Sequence, residues 1–198
     1  MSCPSESGET HNSRFHLKTE FTDGRVGIRP YRQTDIPLLF EAVRESIDEL
    51  SAWMPWCTPS YSLEDSREFA SSRTTDWDKG EHYSFVIEDQ NTGQFLGGTG
   101  VNFVNLIHNF ANLGYWVRTS ATGRGVASKA VRLVAQFGLQ ELRLSRLEIL
   151  AAVGNVASQH VADKAGARRE GVLRKRLQLH GQALDAVLFS LVVEDLSQ

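Results

Sequence analysis

Residues 111–152 constrain this chain more than any other segment, because they read as a strand, a helix and a second strand in succession. Residues 111–117, ending Leu113-Gly114-Tyr115-Trp116-Val117, have strand character. Val126, Ala130, Leu133, Val134 and Phe137 then recur on one face of a helix, and Arg146-Leu147-Glu148-Ile149-Leu150-Ala151-Ala152 reads as a strand again. Two strands joined by so long a connection pair in parallel, with a right-handed crossover. Between the first strand and the helix lies Thr122-Gly123-Arg124-Gly125-Val126-Ala127. Glycines there leave the first-turn N–H groups uncovered, and those groups with the helix dipole favour phosphate. Asn155 and Ser158 follow directly after the second strand. Ligands of such sheets bind beyond the carboxyl ends of parallel strands, so both clusters are expected to face one crevice. Asn155 also reads simply as a helix N-cap, with Ser158 a polar residue of the first turn.

The remaining pattern surrounds this unit. A strand over residues 26–31 precedes a helix in which Ile36, Leu39, Phe40, Val43, Ile47 and Leu50 share a face. Trp53-Met54-Pro55-Trp56 then forms a loop whose tryptophans either cap the core or wall a substrate cleft. Ser62 begins a second helix, with Glu64 and Asp65 in its first turn, that runs to Lys79-Gly80. Tyr83, Phe85 and Ile87 alternate before the Gln90-Asn91-Thr92-Gly93 turn, which implies three antiparallel strands in a row with those that follow. A short helix over residues 156–165 stops at Gly166, and two strands close around His180-Gly181-Gln182. The expected architecture is an α/β (α+β) fold: a mixed sheet of about seven strands with helices on both faces. One domain spans residues 15–198, with residues 1–14 a loose tail.

Charge divides unevenly along the chain. The 198 residues carry a formal charge of -3, yet residues 1–117 hold 9 Lys/Arg against 17 Asp/Glu, and residues 118–180 hold 12 against 4. A basic segment around the glycine loop fits a bound polyanion, and the acidic remainder fits a cationic partner. The basic residues are interleaved with apolar ones at regular spacing, which argues against direct nucleic-acid binding. No GxxxxGK[ST], HExxH or GxSxG pattern occurs, and no metal is expected. A Rossmann dinucleotide loop would need a third glycine where Ser128 stands and an acid at the end of the second strand, where Ala151-Ala152 stand. Cys3 and Cys57 make no disulfide framework, and neither a signal peptide nor a membrane span is visible, so a cytoplasmic protein is expected.

Several motifs in order carry a family resemblance: Gly114-Tyr115-Trp116-Val117, Gly123-Arg124-Gly125-Val126-Ala127, Asn155-Val156-Ala157-Ser158, Lys164-Ala165-Gly166-Ala167 with Glu170-Gly171, and residues 181–185. From about Val26 to Val193 the chain resembles the GCN5-related N-acetyltransferase superfamily, in its RimJ/RimL branch of ribosomal-protein N-terminal acetyltransferases. The resemblance implies acetyl-CoA as cosubstrate, its pyrophosphate on the glycine loop and its pantetheine arm between two splayed parallel strands. It assigns the strand-end backbone of Trp116, Val117 and Arg118 to pantetheine and the thioester carbonyl, and the N–H groups of Gly123, Arg124, Gly125, Val126 and Ala127 to pyrophosphate, with Thr122 opening the loop. It places Asn155 against the pantetheine arm, Ser158 near the departing sulfur as the catalytic hydroxyl, and Asn102, Trp53 and Trp56 on the acceptor side.

The departures from the family bear on mechanism. Thr122 stands where the family's loop usually has Gln or Arg, and Asn112 and Leu177 occupy positions that are acidic in RimL-type sequences, which leaves the general base unassigned. An α-amine with a pKa of about 8 is partly neutral at pH 7, whereas a lysine amine near 10.4 needs more help. The expected acceptor is therefore an amine at a protein or peptide N-terminus, acetylated by direct transfer. A small amine or antibiotic is the alternative within enzymes, and a non-catalytic CoA-binding regulator the alternative outside them. Asp185 and the histidines His82, His108 and His180 are further candidate proton acceptors, each with a structural reading beside it. A monomer or a homodimer is compatible with the length.

Overall fold

The structure, a computed structural model, describes residues 17–197; the tail expected over residues 1–14 lies outside them. Among the described residues eight strands form one sheet in the order β1-β2-β3-β4-β5-β6-β8-β7. They are β1 (Phe21–Thr22), β2 (Val26–Pro30), β3 (His82–Asp89), β4 (Phe95–Asn105), β5 (Phe110–Val117), β6 (Arg146–Ala152), β7 (Arg168–Leu179) and β8 (Gln182–Leu191). Of the seven pairings only β5 with β6 is parallel, as the long connection between them requires. The expected seven strands become eight because β1 is only two residues long, too short for any periodicity, and is recognised by its pairing of Phe21 with Ile28 and Thr22 with Gly27.

Among the described residues five α-helices cover the sheet: α1 (Ile36–Glu45), α2 (Ile47–Ser51), α3 (Leu63–Lys79), α4 (Val126–Gln136) and α5 (Val156–Lys164). Alternation along β3 shows how they share it. Phe85 and Ile87 pack into the core under α4 with Ala130, Val131 and Val134, while Val86 between them packs with Leu39 and Val43 of α1. The helix expected to run unbroken through residues 36–50 is instead two. Ser46 leaves helical geometry (φ -114°, ψ 16°), its Oγ donating to the Ala42 carbonyl at 2.8 Å and accepting from the Thr119 N–H at 2.9 Å. That break ties the end of α1 to the loop after β5. For α3 the ends agree with expectation: Ser62 and Asp65 form a reciprocal capping box, and left-handed Gly80 closes the helix. No helix among the described residues is long and apolar enough to cross a membrane.

Candidate active site

The parallel pair holds register only at Phe110/Arg146, Ala111/Leu147 and Asn112/Glu148, and beyond those residues the strands separate. Which backbone groups line the gap follows from alternation. The Arg118 N–H donates to the Leu96 carbonyl at 2.8 Å, so Trp116 and Gly114 likewise turn their backbone groups to β4. Leu113, Tyr115 and Val117 then turn theirs toward β6. On the far side Val153 donates to the Asp185 carbonyl at 3.0 Å, which leaves Leu150 and Ala152 facing back. Of the three expected strand-end donors, Trp116 and Arg118 turn their N–H groups to β4, and Val117 alone faces the gap. The Arg118 side chain is buried too, with Nε on Glu45 at 2.8 Å, one terminal nitrogen on Glu41 at 2.9 Å, and the other on the Phe95 carbonyl at 3.3 Å.

At the carboxyl end of β5 the chain turns through the glycine loop. Gly123 and Gly125 adopt left-handed φ of 72° and 75°, where a side chain is strained, and nothing lies within 4 Å of the space a Gly123 Cβ would take. Gly125 caps α4 without any side-chain hydrogen bond, so the N–H groups of the first turn stay open toward the loop. The Lys164 ammonium lies 3.8 Å from where a Gly125 Cβ would stand, adding a cation to the same concavity. Arg124 is exposed there and makes no ion pair among the described residues, whereas the Thr122 hydroxyl is turned back onto the Thr119 carbonyl at 2.8 Å. Val126 and Ala127 begin α4 with buried side chains, so the loop contributes backbone rather than side chains.

Asn155 and Ser158 stand across the gap on α5. The Asn155 Oδ1 accepts the Ser158 N–H at 3.0 Å, making Asn155 the N-cap as its position allows. The Ser158 Oγ meets the Tyr115 hydroxyl at 2.9 Å, and that hydroxyl also donates to the Ser158 carbonyl at 2.9 Å. Burial pushes the Tyr115 phenol up to about 12. Tyr115 was visible in sequence only as part of a strand motif; its pairing with Ser158, 43 residues away, needs the splayed strands to bring them together.

The opposite face of the sheet opens into a cleft of about 1050 Å³ lined by Trp53, Trp56, Trp116, Asn102, Asn112, Leu177 and Glu148 among others. Trp56 is 46% exposed and sets its ring edge against Trp116, with centroids 6.1 Å apart. Trp53 lies over Gly154, 3.3 Å from where a Cβ there would be. Asn112 donates to the Asn102 Oδ1 at 2.8 Å across β4 and β5. Of the other four candidate proton acceptors, three fall elsewhere or are otherwise occupied. Asp185 accepts the Lys175 N–H at 2.9 Å within the β7–β8 hairpin, and His180 bonds the Ser51 carbonyl at 2.8 Å. His108 lies in the β4–β5 turn, while His82 lines the cleft beside Phe103. Among the described residues no three of His, Cys, Asp and Glu come together to hold a metal ion.

Two ion-pair clusters flank the gap. Arg118 holds the Glu45 carboxyl down to about 2, and Arg146, bidentate on Glu170 at 2.6 and 2.7 Å, holds Glu170 to about 2 as well. Both lie below their ordinary value of 4.5, so the stability they contribute is present above pH 4.5 and lost as pH falls toward 2. Melting temperatures measured across that window should fall steeply. A flat profile down to pH 2.5 would show that neither carboxylate is held.

The chain matches the acetyltransferase (GNAT) domain family over residues 25–168. It belongs to that family of acetyltransferases. Over 172 residues it is 27% identical to YdaF of Bacillus subtilis, whose name places it with ribosomal N-acetyltransferases, covering 84% of this chain and 91% of YdaF. The structure of Mycobacterium smegmatis RimJ in complex with a CoA disulfide superposes with a TM-score of 0.77 at 27% identity, over 87% of this chain and 84% of RimJ. RimL, the ribosomal L7/L12 α-N-protein acetyltransferase, in complex with coenzyme A shares the fold with a TM-score of 0.77 at 22% identity, over 86% of this chain and 96% of RimL.

Proposed function

We propose that the protein transfers acetyl from acetyl-CoA to the N-terminal α-amine of a protein or peptide, a ribosomal protein being the leading class, in the cytoplasm. The observation that carries the proposal is the gap opening past Asn112/Glu148, with the glycine loop at one end and the Tyr115–Ser158 pair across it. A linear acyl-thioester with a polyphosphate head fits that order of parts. The open N–H groups of the α4 first turn, with Lys164 and Arg124, would hold the pyrophosphate. Unpaired backbone groups of Tyr115, Val117 and Leu150 would bind the amides of the arm, with Trp116 walling the acceptor side and the Asn155 side-chain amide at the α5 N-terminus.

In the direct transfer, the acceptor nitrogen attacks the thioester carbonyl and the sulfur leaves. Backbone N–H groups at the gap stabilise charge on the carbonyl oxygen, and the Ser158 hydroxyl hydrogen-bonds the departing sulfur. Tyr115, held neutral by its raised pKa, donates its one hydrogen to the Ser158 carbonyl and accepts from the Ser158 hydroxyl, which positions that Oγ at the gap. Ser158→Ala is expected to lower kcat by about 10-fold to 100-fold at little cost in KM for acetyl-CoA, and Tyr115→Phe by less, read by thiol release. An unchanged kcat in both variants would remove the pair from the mechanism.

The acceptor cleft supports a polypeptide end rather than an isolated small amine. Trp53, Trp56, Asn102 and Asn112 line it with Asp65 and Glu68, which suit a cationic peptide end, and YdaF and the Escherichia coli ribosomal-protein-serine acetyltransferase, 24% identical over 156 residues, are named for ribosomal proteins. The test mixes the protein with acetyl-CoA and a panel of N-terminal peptides, lysine-containing peptides with blocked termini, and small amines including polyamines and aminoglycosides. Products are identified by mass. α-Acetylated peptide with stoichiometric thiol supports the proposal. Product from small amines alone replaces the acceptor class, and saturable CoA binding without turnover on any amine leaves a CoA-binding regulator.

A further inference from the structure

We infer that Glu148 is the proton acceptor for the attacking amine, a reading that rests on the acetyltransfer proposed above. Asn112 and Leu177 line the cleft and carry no carboxylate. The structure places one beside them. Glu148 is the register partner of Asn112 in the last pair before β5 and β6 separate, and its side chain faces the cleft. It therefore stands at the inner end of the gap, where the thioester would meet the acceptor.

Its two carboxylate oxygens are differently occupied. Oε1 accepts from the Arg146 Nε at 2.9 Å, while Oε2 has no hydrogen-bond partner among the described residues. Arg146 is itself anchored, its two terminal nitrogens on Glu170, which also accepts from the Ser190 hydroxyl at 2.7 Å. The carboxylate is thus fixed by one oxygen and open at the other, with 21% of the side chain exposed. A base at this place needs an oxygen able to accept a proton, and Oε2 is the one not taken by Arg146. Asn112, its register partner, and Asn102, bonded to Asn112, line the same cleft as neutral groups able to hold a water without competing for the proton.

In the step this assigns, the nitrogen forms its bond to the carbonyl carbon and sheds a proton through one water to Glu148 Oε2. The carbon–sulfur bond breaks with its pair on sulfur. The sulfur leaves as a thiolate hydrogen-bonded by the Ser158 hydroxyl and takes its proton from solvent, and Glu148 returns its proton to solvent as product leaves.

The experiment compares native protein, Glu148→Gln and Glu148→Asp on two nucleophiles: the best α-amine peptide of the panel, and hydroxylamine, which is largely neutral at pH 7. Glutamine keeps the acceptor for Arg146 but removes the base. The expected result is a loss of at least 100-fold in kcat for the peptide with Glu148→Gln, an acetyl-CoA Kd within twofold of native, and a deficit under fivefold with hydroxylamine. Glu148→Asp should recover at least 10-fold over the glutamine variant. Peptide turnover by Glu148→Gln within threefold of native, or equal deficits on both nucleophiles, overturns the assignment. If native protein binds acetyl-CoA yet acetylates neither nucleophile, the acetyltransfer reading falls and this assignment with it.

Discussion

Replacing Gly125 by glutamate is expected to abolish acetyl-CoA binding, raising its Kd by at least about 100-fold while leaving the fold intact. Three effects act together. The residue sits at φ 75°, where a Cβ is strained, and it caps α4 at the point where the open N–H groups converge. A carboxylate there would also capture Lys164, whose ammonium is 3.8 Å from the Cβ position, and oppose any phosphate by its own charge. Titration calorimetry reads the loss, and circular dichroism confirms that the sheet persists. Gly125→Ala shares the strain without the charge and should lose far less. Equal binding by native and Gly125→Glu protein would remove the pyrophosphate from this loop.

Arg118→Ala is the second large effect, and it is on stability rather than binding. The guanidinium is buried and bonded to Glu45, Glu41 and the Phe95 carbonyl at once, joining α1 to the start of β4 and the end of β5. Removing it strands Glu45 and the Phe95 carbonyl, at roughly 3–5 kcal/mol for breaking a buried pair, while Glu41, with 64% of its side chain exposed, is rehydrated. Glu45 retains partial access to water with 29% of its side chain exposed, which favours the lower end of that range. For a chain of this size about 3 kcal/mol corresponds to a drop of roughly 6–12 °C in Tm. The variant should also release the Glu45 carboxyl from its hold near 2, flattening the acid limb of the stability profile. A Tm within 2 °C of native would show that the cluster contributes little.

Arg118 also shows where sequence reading stops. Its place after Trp116-Val117 marks it as a strand-end residue, but whether its N–H is open depends on Leu96, 22 positions earlier in the chain, and nothing local reports that bond. The features that were legible are local ones. The glycine loop, the Ser62 cap and the apolar face of α4 each follow from residues within a turn or two, and the parallel pair follows from connection length. The break at Ser46 was hidden because apolar spacing continues through it to Leu50, although the serine bonds back to Ala42 and across to Thr119.

The same distinction separates the parts of the candidate site. Asn155 and Ser158 announce themselves by following a strand end, but Tyr115 and Glu148 become site residues only through strand geometry. Within β6, Leu147, Ile149 and Ala151 are buried while Glu148 is partly exposed, an alternation that places a lone acid on the face away from the α4 core. That signal exists in the sequence. Its meaning needs Asn112 as register partner and the cleft beyond it.

Charge along the chain acquires a place in the same geometry. The basic segment over residues 118–180 contains Arg124 and Lys164, which border the glycine loop, while acidic residues before it contribute Asp65 and Glu68 to the cleft wall. A polyanion on one side and an amine on the other agree with that division.

Amide hydrogen exchange with and without acetyl-CoA tests the central claim, that the separated strands and the glycine loop form one acetyl-CoA site. The expected result is protection on adding acetyl-CoA concentrated in residues 113–128 and 150–158, reduced to background in Gly125→Glu. Protection confined to other elements, or none at saturating acetyl-CoA, would contradict it.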